Sequence, residues 1–192
     1  MERLATDQEV LGSTPSRRTN KGKYENIFRK ICYIFLHNSF CNISINDNII
    51  LMSKKFIQIS TKPGFMKFNG GILLRKVSKN EYEFKVKVKK NHLNQAGITH
   101  GGYIASIIDS GSGTAARLAG KVSPCVTISL DIKFIGASKL GDELIGNTKI
   151  QKITNTMVFL VCTLRCKGKI IASASGIWKK IGKSFKKLKN KI

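Results

Sequence analysis

Residues 94–109 of this 192-residue chain, NQAGITHGGYIASIID, decide the fold. A polar turn that contains glycine runs into an apolar, helix-like stretch that carries a single carboxylate, Asp109. The paired glycines at the predicted helix start, Gly101 and Gly102, expose backbone N–H groups that can hold a developing negative charge. An acid farther along such a helix is costly to bury unless it has a function. The segment therefore predicts a reaction site at a helix N-terminus.

Hydrophobic patterns on both sides of this segment predict an α+β fold. A helix is predicted from His100 to about Leu118, ended by Gly120. One strand is predicted before it and four strands in hairpin succession after it, with alternating apolar and polar residues. The predicted strands are 82–88, 126–134, 143–153, 157–165 and 169–178. One helix followed by consecutive antiparallel strands predicts a helix packed against a single sheet.

The order of Asn94, Gly97, the His-Gly-Gly at 100–102 and Asp109 strongly resembles the hotdog-fold acyl-CoA thioesterases. The most similar subgroup is the phenylacetate-pathway and thioesterase superfamily member 2 type, and the resemblance covers about residues 60–181. It implies a hotdog fold, with a long central helix on an antiparallel sheet, in a dimer or a dimer of dimers. The implied reaction is hydrolysis of an acyl- or aryl-CoA to the free acid and coenzyme A, without a cofactor or metal.

The resemblance also implies catalytic roles. The backbone N–H of Gly101 or Gly102 would hold the thioester oxygen, His100 would help to set the turn, and Asn94 would lie near the thioester. Asp109 would act as the base or nucleophile. In the family this acid faces the His-Gly-Gly turn of the other chain, so an isolated monomer is expected to be inactive.

By resemblance, Thr127 is the remaining predicted catalytic residue, because relatives carry Ser or Thr at the matching position and either hydroxyl can orient a water molecule. Its position in the alternation of strand 126–134 predicts that it points away from the apolar face. By resemblance, coenzyme A is expected to border two stretches, 134–139 and 152–156, whose lysines would face phosphates. The predicted substrate-binding residues are Gly102, Phe134, Lys139, Lys152, Asn155 and Thr156.

Each of these residues also has an ordinary structural interpretation. Asp109 can be a surface acid, His100 and Asn94 can be turn residues, and the glycines can serve close packing. The lysines can be merely solvated. Residues 111–116, GSGTAA, match a dinucleotide-binding pattern, but that pattern requires a βαβ unit. The hairpin order of the strands favours small residues that allow close packing instead.

The net charge of +23 resides almost entirely in residues 52–192, where Lys and Arg exceed Asp and Glu by 21. Such a field attracts polyanions: nucleic acid, an anionic membrane or coenzyme A. A+T-rich coding explains the abundant lysines equally well. No helix-turn-helix or aromatic-plus-basic RNA motif is present, so no specific nucleic-acid partner is expected.

Three segments are predicted along the chain. Residues 1–51 are an extension that is disordered, serves targeting, or precedes a translation start at Met52; residues 52–181 form the thioesterase domain; and residues 182–192 are a lysine-rich tail. Apolar residues that recur from Trp178 to Ile192 predict a basic amphipathic helix on an anionic membrane, unless Trp178 closes the last strand. An intracellular location is expected, either cytoplasmic or, if residues 1–51 act as a targeting segment, organellar.

The cysteine spacing bears on metal and disulfide sites, and two alternative functions stay open. Five cysteines in irregular spacing predict free thiols and no zinc site or disulfide framework. A hotdog hydratase or dehydratase is an alternative, but those relatives pair a catalytic His with an acid in a different motif. A non-catalytic acyl-CoA-binding or nucleic-acid-binding protein is a second alternative, suggested by the charge.

Overall fold

The computed structural model of the protein describes residues 54–122 and 124–181. In chain order its elements are β1 (Ile57–Ile59), α1 (Phe65–Phe68), β2 (Ile72–Ser78), β3 (Glu81–Lys87), a 3-10 helix (Lys90–His92), α2 (Gly101–Ala119), β4 (Cys125–Phe134), β5 (Glu143–Ile153), β6 (Met157–Cys166) and β7 (Lys169–Lys180). The predicted segments 1–51 and 182–192 lie outside the described residues, and the domain boundaries stay predictions. Within the described ranges, no helix has the length and apolar character needed to cross a membrane.

The seven strands form one antiparallel sheet in the order β1-β2-β3-β5-β6-β7-β4. Helix α2 lies across one face of this sheet and buries an apolar stripe against it. The apolar side chains of the stripe are Tyr103, Ile104, Ile107, Ile108, Ala115, Ala116 and Leu118. Their spacing of three and four residues is the pattern that predicted the helix. The predicted α+β architecture and the helix end at Gly120 are confirmed.

The strand order corrects the prediction of four consecutive hairpins after the helix. Only β5, β6 and β7 follow one another as hairpins, while β4 pairs with β7 at the far edge of the sheet. The eight residues 135–142 that join β4 to β5 are too long for a tight hairpin turn. They first stay beside β7, where the N–H groups of Ile135 and Gly136 both donate to the Ile171 carbonyl. The chain then crosses to β5.

Two strands near the start of the domain were not predicted. β1 has three residues, and β2 continues the sheet with a register irregularity between Lys76 and Ser78. A strand this short carries no measurable alternation, and an irregular register interrupts the alternation of the longer one. Neither segment can therefore be predicted from hydrophobic periodicity. β3, in contrast, was predicted from its regular Tyr82-Phe84-Val86 pattern, and these three side chains are buried as expected.

A bulge in β4 corrects the predicted faces of that strand. Thr127 pairs with Trp178 and Ser129 with Ile177, so β4 has one extra residue between these pairs. The extra residue reverses the alternation, and Thr127 consequently shares the helix-facing side with Leu130. The prediction that Thr127 points away from the apolar face was therefore wrong. Ile128, predicted on the apolar face, is 55% exposed.

The Phe84 ring sits between two glycines and fixes the height of α2 over the sheet. A Cβ on Gly111 of α2 would overlap this ring, and so would a Cβ on Gly146 of β5. The glycines of residues 111–116 therefore serve close packing, as favoured, and lie inside a helix where no dinucleotide-binding turn can form. Trp178 is buried within β7, which continues to Lys180, so Trp178 belongs to this strand, as one of its two interpretations predicted.

Gly111→Ala is expected to destabilise the protein by about 1–3 kcal/mol, because the added methyl group overlaps the Phe84 ring and the ring has no free space to move into. The better helix propensity of Ala, worth about 1 kcal/mol, only partly offsets this cost. Urea unfolding measures the change. Adding Phe84→Leu should recover part of the loss; a Gly111→Ala protein as stable as the wild type would contradict the packing argument.

Candidate active site

His100 caps the N-terminus of α2 and decides which backbone N–H groups stay free. Its Nδ1 accepts the Gly102 N–H at 2.9 Å, and its carbonyl accepts the N–H groups of Tyr103 and Ile104. The Ile104 bond is the first regular bond of the helix, and the His100 N–H donates to the His92 carbonyl at 2.8 Å, so three of the four N–H groups before it, those of His100, Gly102 and Tyr103, are satisfied. Within the described residues, the Gly101 N–H has no acceptor. The helix start therefore presents one donor, at Gly101, with the positive end of the helix dipole behind it.

Asn94 holds the turn before the helix with its own side chain. Its Oδ1 accepts the N–H groups of Ala96 at 3.0 Å and of Ile98 at 3.3 Å, and its backbone N–H donates to the Ile98 carbonyl. Gly97 has a φ of +73°, which a residue with a side chain rarely adopts. Asn94 is thus a turn former, which agrees with its ordinary structural interpretation. Its contact with a thioester stays a prediction.

The loop of residues 135–142 runs along one side of this turn. The Thr99 N–H donates to the Ser138 carbonyl at 2.8 Å, the two hydroxyls bond at 2.7 Å, and Ile98 pairs with Lys139. Phe134, just before the loop, lies 3.6 Å from the point that a Cβ on Gly101 would occupy. Two predicted substrate-binding residues, Phe134 and Lys139, are therefore brought beside the helix start.

His92, which sequence reasoning missed, supports the turn from the other side. Its Nδ1 accepts the Lys89 N–H at 3.0 Å, so its Nε2 carries the proton and donates to the Asn69 carbonyl at 3.1 Å. Its ring stacks on Tyr103 with centroids 3.7 Å apart, and its carbonyl accepts the His100 N–H at 2.8 Å. Burial lowers the pKa of His92. The only signal in the sequence that could have indicated His92 is its position two residues before Asn94.

Asp109 and Thr127 meet halfway along α2. The Thr127 hydroxyl donates to Asp109 Oδ1 at 2.6 Å, a contact that the bulge in β4 makes possible. The short bond fixes one carboxylate oxygen and leaves Oδ2 available. The structure therefore brings together two of the predicted catalytic residues, one from the helix and one from the edge strand.

One chain does not bring the remaining predicted residues together. Asp109 follows Gly101 by eight residues on the same helix, a rise of about 12 Å. Lys152 is near the end of β5, and Asn155 and Thr156 are in the turn that joins β5 to β6. This turn lies beside the C-terminal end of α2, where a Cβ on Gly120 would contact Val158 at 3.3 Å. Since α2 has 19 residues, that turn is about 28 Å along the helix from Gly101.

Metal-ligating side chains do not cluster in this part of the protein. Among residues 54–122 and 124–181, no three His, Cys, Asp or Glu side chains come together as the ligands of an ion would. The cysteines in these ranges, Cys125, Cys162 and Cys166, are free thiols.

Residues 96–172 match the family model of the thioesterase superfamily. The acyl-coenzyme A thioesterase 13 of Mus musculus is 30% identical over 131 residues, which are 67% of this chain and 91% of that protein.

Solved structures show the same fold. The zebra fish thioesterase superfamily member 2 matches with a TM-score of 0.58 and 24% identity, over 63% of this chain and 89% of that chain. A hypothetical thioesterase protein from Streptococcus pneumoniae, solved with coenzyme A, matches with a TM-score of 0.55 and 23% identity, over 59% and 88% of the two chains. The described residues adopt the hotdog fold, as predicted.

Tyr103→Phe is expected to stabilise the protein by about 1 kcal/mol, because the buried Tyr103 hydroxyl has no hydrogen-bond partner among the described residues. Thr148→Val is the contrast, since the buried Thr148 hydroxyl bonds Ser112 at 3.2 Å and its loss should destabilise. Thermal or urea unfolding measures both. A loss of stability in Tyr103→Phe would show that this hydroxyl has a partner in solution.

Stability is expected to fall as the pH drops below about 6.5, the ordinary histidine pKa. The pKa of buried His92 is lower in the folded chain, so the unfolded chain takes up this proton first. The slope from one such group is at most about 1.4 kcal/mol per pH unit, and it levels off below the folded pKa. Urea unfolding at stepped pH measures it, and His92→Asn should remove this part of the slope. An unchanged slope in that variant would contradict the assignment.

Proposed function

This chain belongs to the thioesterase superfamily and is a thioester hydrolase, and we propose that its substrate is an acyl- or aryl-CoA. The observation that carries the proposal is the unpaired Gly101 N–H at the start of α2. A thioester oxygen placed there gains a donor that is already oriented and does not have to leave another acceptor. The name of the mouse relative and the coenzyme A in the Streptococcus structure support the choice of substrate.

The first step in this proposal is attack of water on the thioester carbon. Asp109 Oδ2 accepts the proton of the attacking water, while the Thr127 hydroxyl holds Oδ1 and so orients the carboxylate. The new C–O bond places negative charge on the former carbonyl oxygen, which the Gly101 N–H stabilises. When the C–S bond breaks, the proton held by Asp109 passes to the departing coenzyme A sulfur. The products are the free acid and coenzyme A.

We infer that two chains build each site, because about 12 Å of helix separates Gly101 from Asp109 in one chain. In the first nine residues of α2, the exposed and half-buried positions carry only small residues and the acid: Gly101, Gly102, Ala105, Ser106 and Asp109. Two such helices can approach closely. If they cross antiparallel at Ala105, Gly101 of each chain lies opposite Asp109 of the other. This self-complementary contact is the type that two-fold dimers use.

An antiparallel pair of this kind also accounts for the distant substrate-binding residues. With the crossing at Ala105, the C-terminal end of one α2 lies about 15 Å along the helix axis from Gly101 of the other, about half of the distance that separates the two ends within one chain. The β5–β6 turn of the second copy, with Lys152, Asn155 and Thr156, would approach Gly101 of the first. Lys139 and Lys152, one from each chain, would then lie on the path of the coenzyme A phosphates, which the strongly positive charge of the domain attracts.

Free-thiol release from short, long and aromatic acyl-CoAs tests the reaction. Gly101→Pro is expected to lower kcat by about 10²–10³, because proline removes the N–H. His100 has φ −63° and ψ 134°, which suit a residue before proline, and the first helical position tolerates proline. Gly101→Ala keeps the N–H and is the matched control. Asp109→Asn should also abolish turnover; activity that survives Gly101→Pro or Asp109→Asn would contradict the mechanism.

Mixing two inactive variants tests the shared site. Random subunit exchange between Gly101→Pro and Asp109→Asn makes about half of the dimers mixed, and each mixed dimer has one intact site out of two. Activity should therefore return to about a quarter of that of the wild type. If Gly101 and Asp109 of the same chain formed the site, mixing would restore nothing.

A further inference from the structure

We propose that two phenylalanines of α1, Phe65 and Phe68, hold the acyl group of the substrate and give the enzyme a preference for long apolar acyl chains. This inference rests on the proposed function, since it assigns the acyl half of the same substrate. Nothing in the resemblance or the proposed mechanism uses α1.

The two rings are unusual for their exposure. Phe65 is 66% exposed and Phe68 is 84% exposed, although the Met66 between them packs against the core. Three residues apart on a helical turn, they lie on one face. Large apolar side chains left side by side in water indicate a binding surface more strongly than a single exposed one does.

Hydrogen bonds tie α1 to the proposed oxyanion donor. The Asn69 residue that ends α1 accepts from His92 Nε2 at 3.1 Å, and the His92 carbonyl accepts the N–H of His100, which caps α2. The His92 ring also stacks on Tyr103 in the first turn of α2. The two exposed rings therefore stand on a segment that is fixed to the catalytic turn, and they keep a defined position relative to the thioester carbon.

The direction of the substrate favours this side for the acyl group. Phe134, at the end of β4, lies beside Gly101, and the coenzyme A half is proposed to follow residues 134–139. β4 is one edge of the sheet, whereas α1 leads into β2 on the opposite flank, with β3, β5, β6 and β7 between them. A substrate whose carbonyl sits at Gly101 and whose coenzyme A leaves toward β4 must extend its acyl group the other way, toward α1.

Binding of two thioether analogues tests the inference without turnover: S-dodecyl-CoA, with a long chain, and S-ethyl-CoA, with a short one. In the full-length protein, Phe68→Ala and Phe65→Ala should each raise the Kd for S-dodecyl-CoA by about tenfold, with S-ethyl-CoA unchanged. Phe68→Leu should keep most of the affinity, since it keeps an apolar contact. Ile145→Ala, on the face of the sheet away from α2, is the control for losing an exposed apolar residue.

The possible outcomes separate the inference from the proposed function. Equal affinity of wild type and both alanine variants for S-dodecyl-CoA overturns the inference, even if acyl-CoAs are hydrolysed normally. An equal loss of affinity for S-dodecyl-CoA and S-ethyl-CoA also overturns it, because the rings would then not distinguish a long chain from a short one. A selective loss for the long chain in a protein that hydrolyses no acyl-CoA would support the inference and contradict the proposed function.

Discussion

The hydrogen bond from the Gly102 N–H to His100 Nδ1 is the constraint on which the site depends. A helix start has several unpaired N–H groups, and without a cap each of them is available to bind an anion. By occupying Gly102, while its own carbonyl occupies the next two residues, His100 leaves a single donor at Gly101. The histidine is held in turn by the His92 carbonyl. Chemistry at this turn is therefore defined by backbone geometry, and the side chains serve mainly to place that backbone.

Sequence alone predicted the elements whose signals are local. The helix from His100, its end at Gly120 and the alternating strand β3 follow from periodicity and turn residues, and the His-Gly-Gly to Asp order indicated the family. The order of strands in the sheet did not follow, because the pairing of β4 with β7 depends on where a crossing loop ends. The face of Thr127 was missed because one bulge residue reverses alternation and leaves no trace in composition.

The site residues show the same division between local and non-local information. Asn94 and His100 act on residues within four positions, so their roles as turn and cap residues can be inferred from spacing. The bond between Asp109 and Thr127 joins two elements and needs the bulge to form. His92 was overlooked for a related reason: its partners Asn69 and Tyr103 come from elements on either side of it, and burial of an isolated histidine cannot be read from its neighbours.

The Phe84 ring between Gly111 and Gly146 has a consequence for how this domain can diverge. The three residues come from β3, α2 and β5, yet they fill the same space in the core. A side chain gained at either glycine therefore requires a smaller side chain in place of Phe84. Single changes there are disfavoured while paired changes are tolerated, which is sign-dependent epistasis. Sequence drift in this core should therefore proceed by coupled steps, and a library that varies the three positions together would recover stable combinations whose single substitutions are each destabilising.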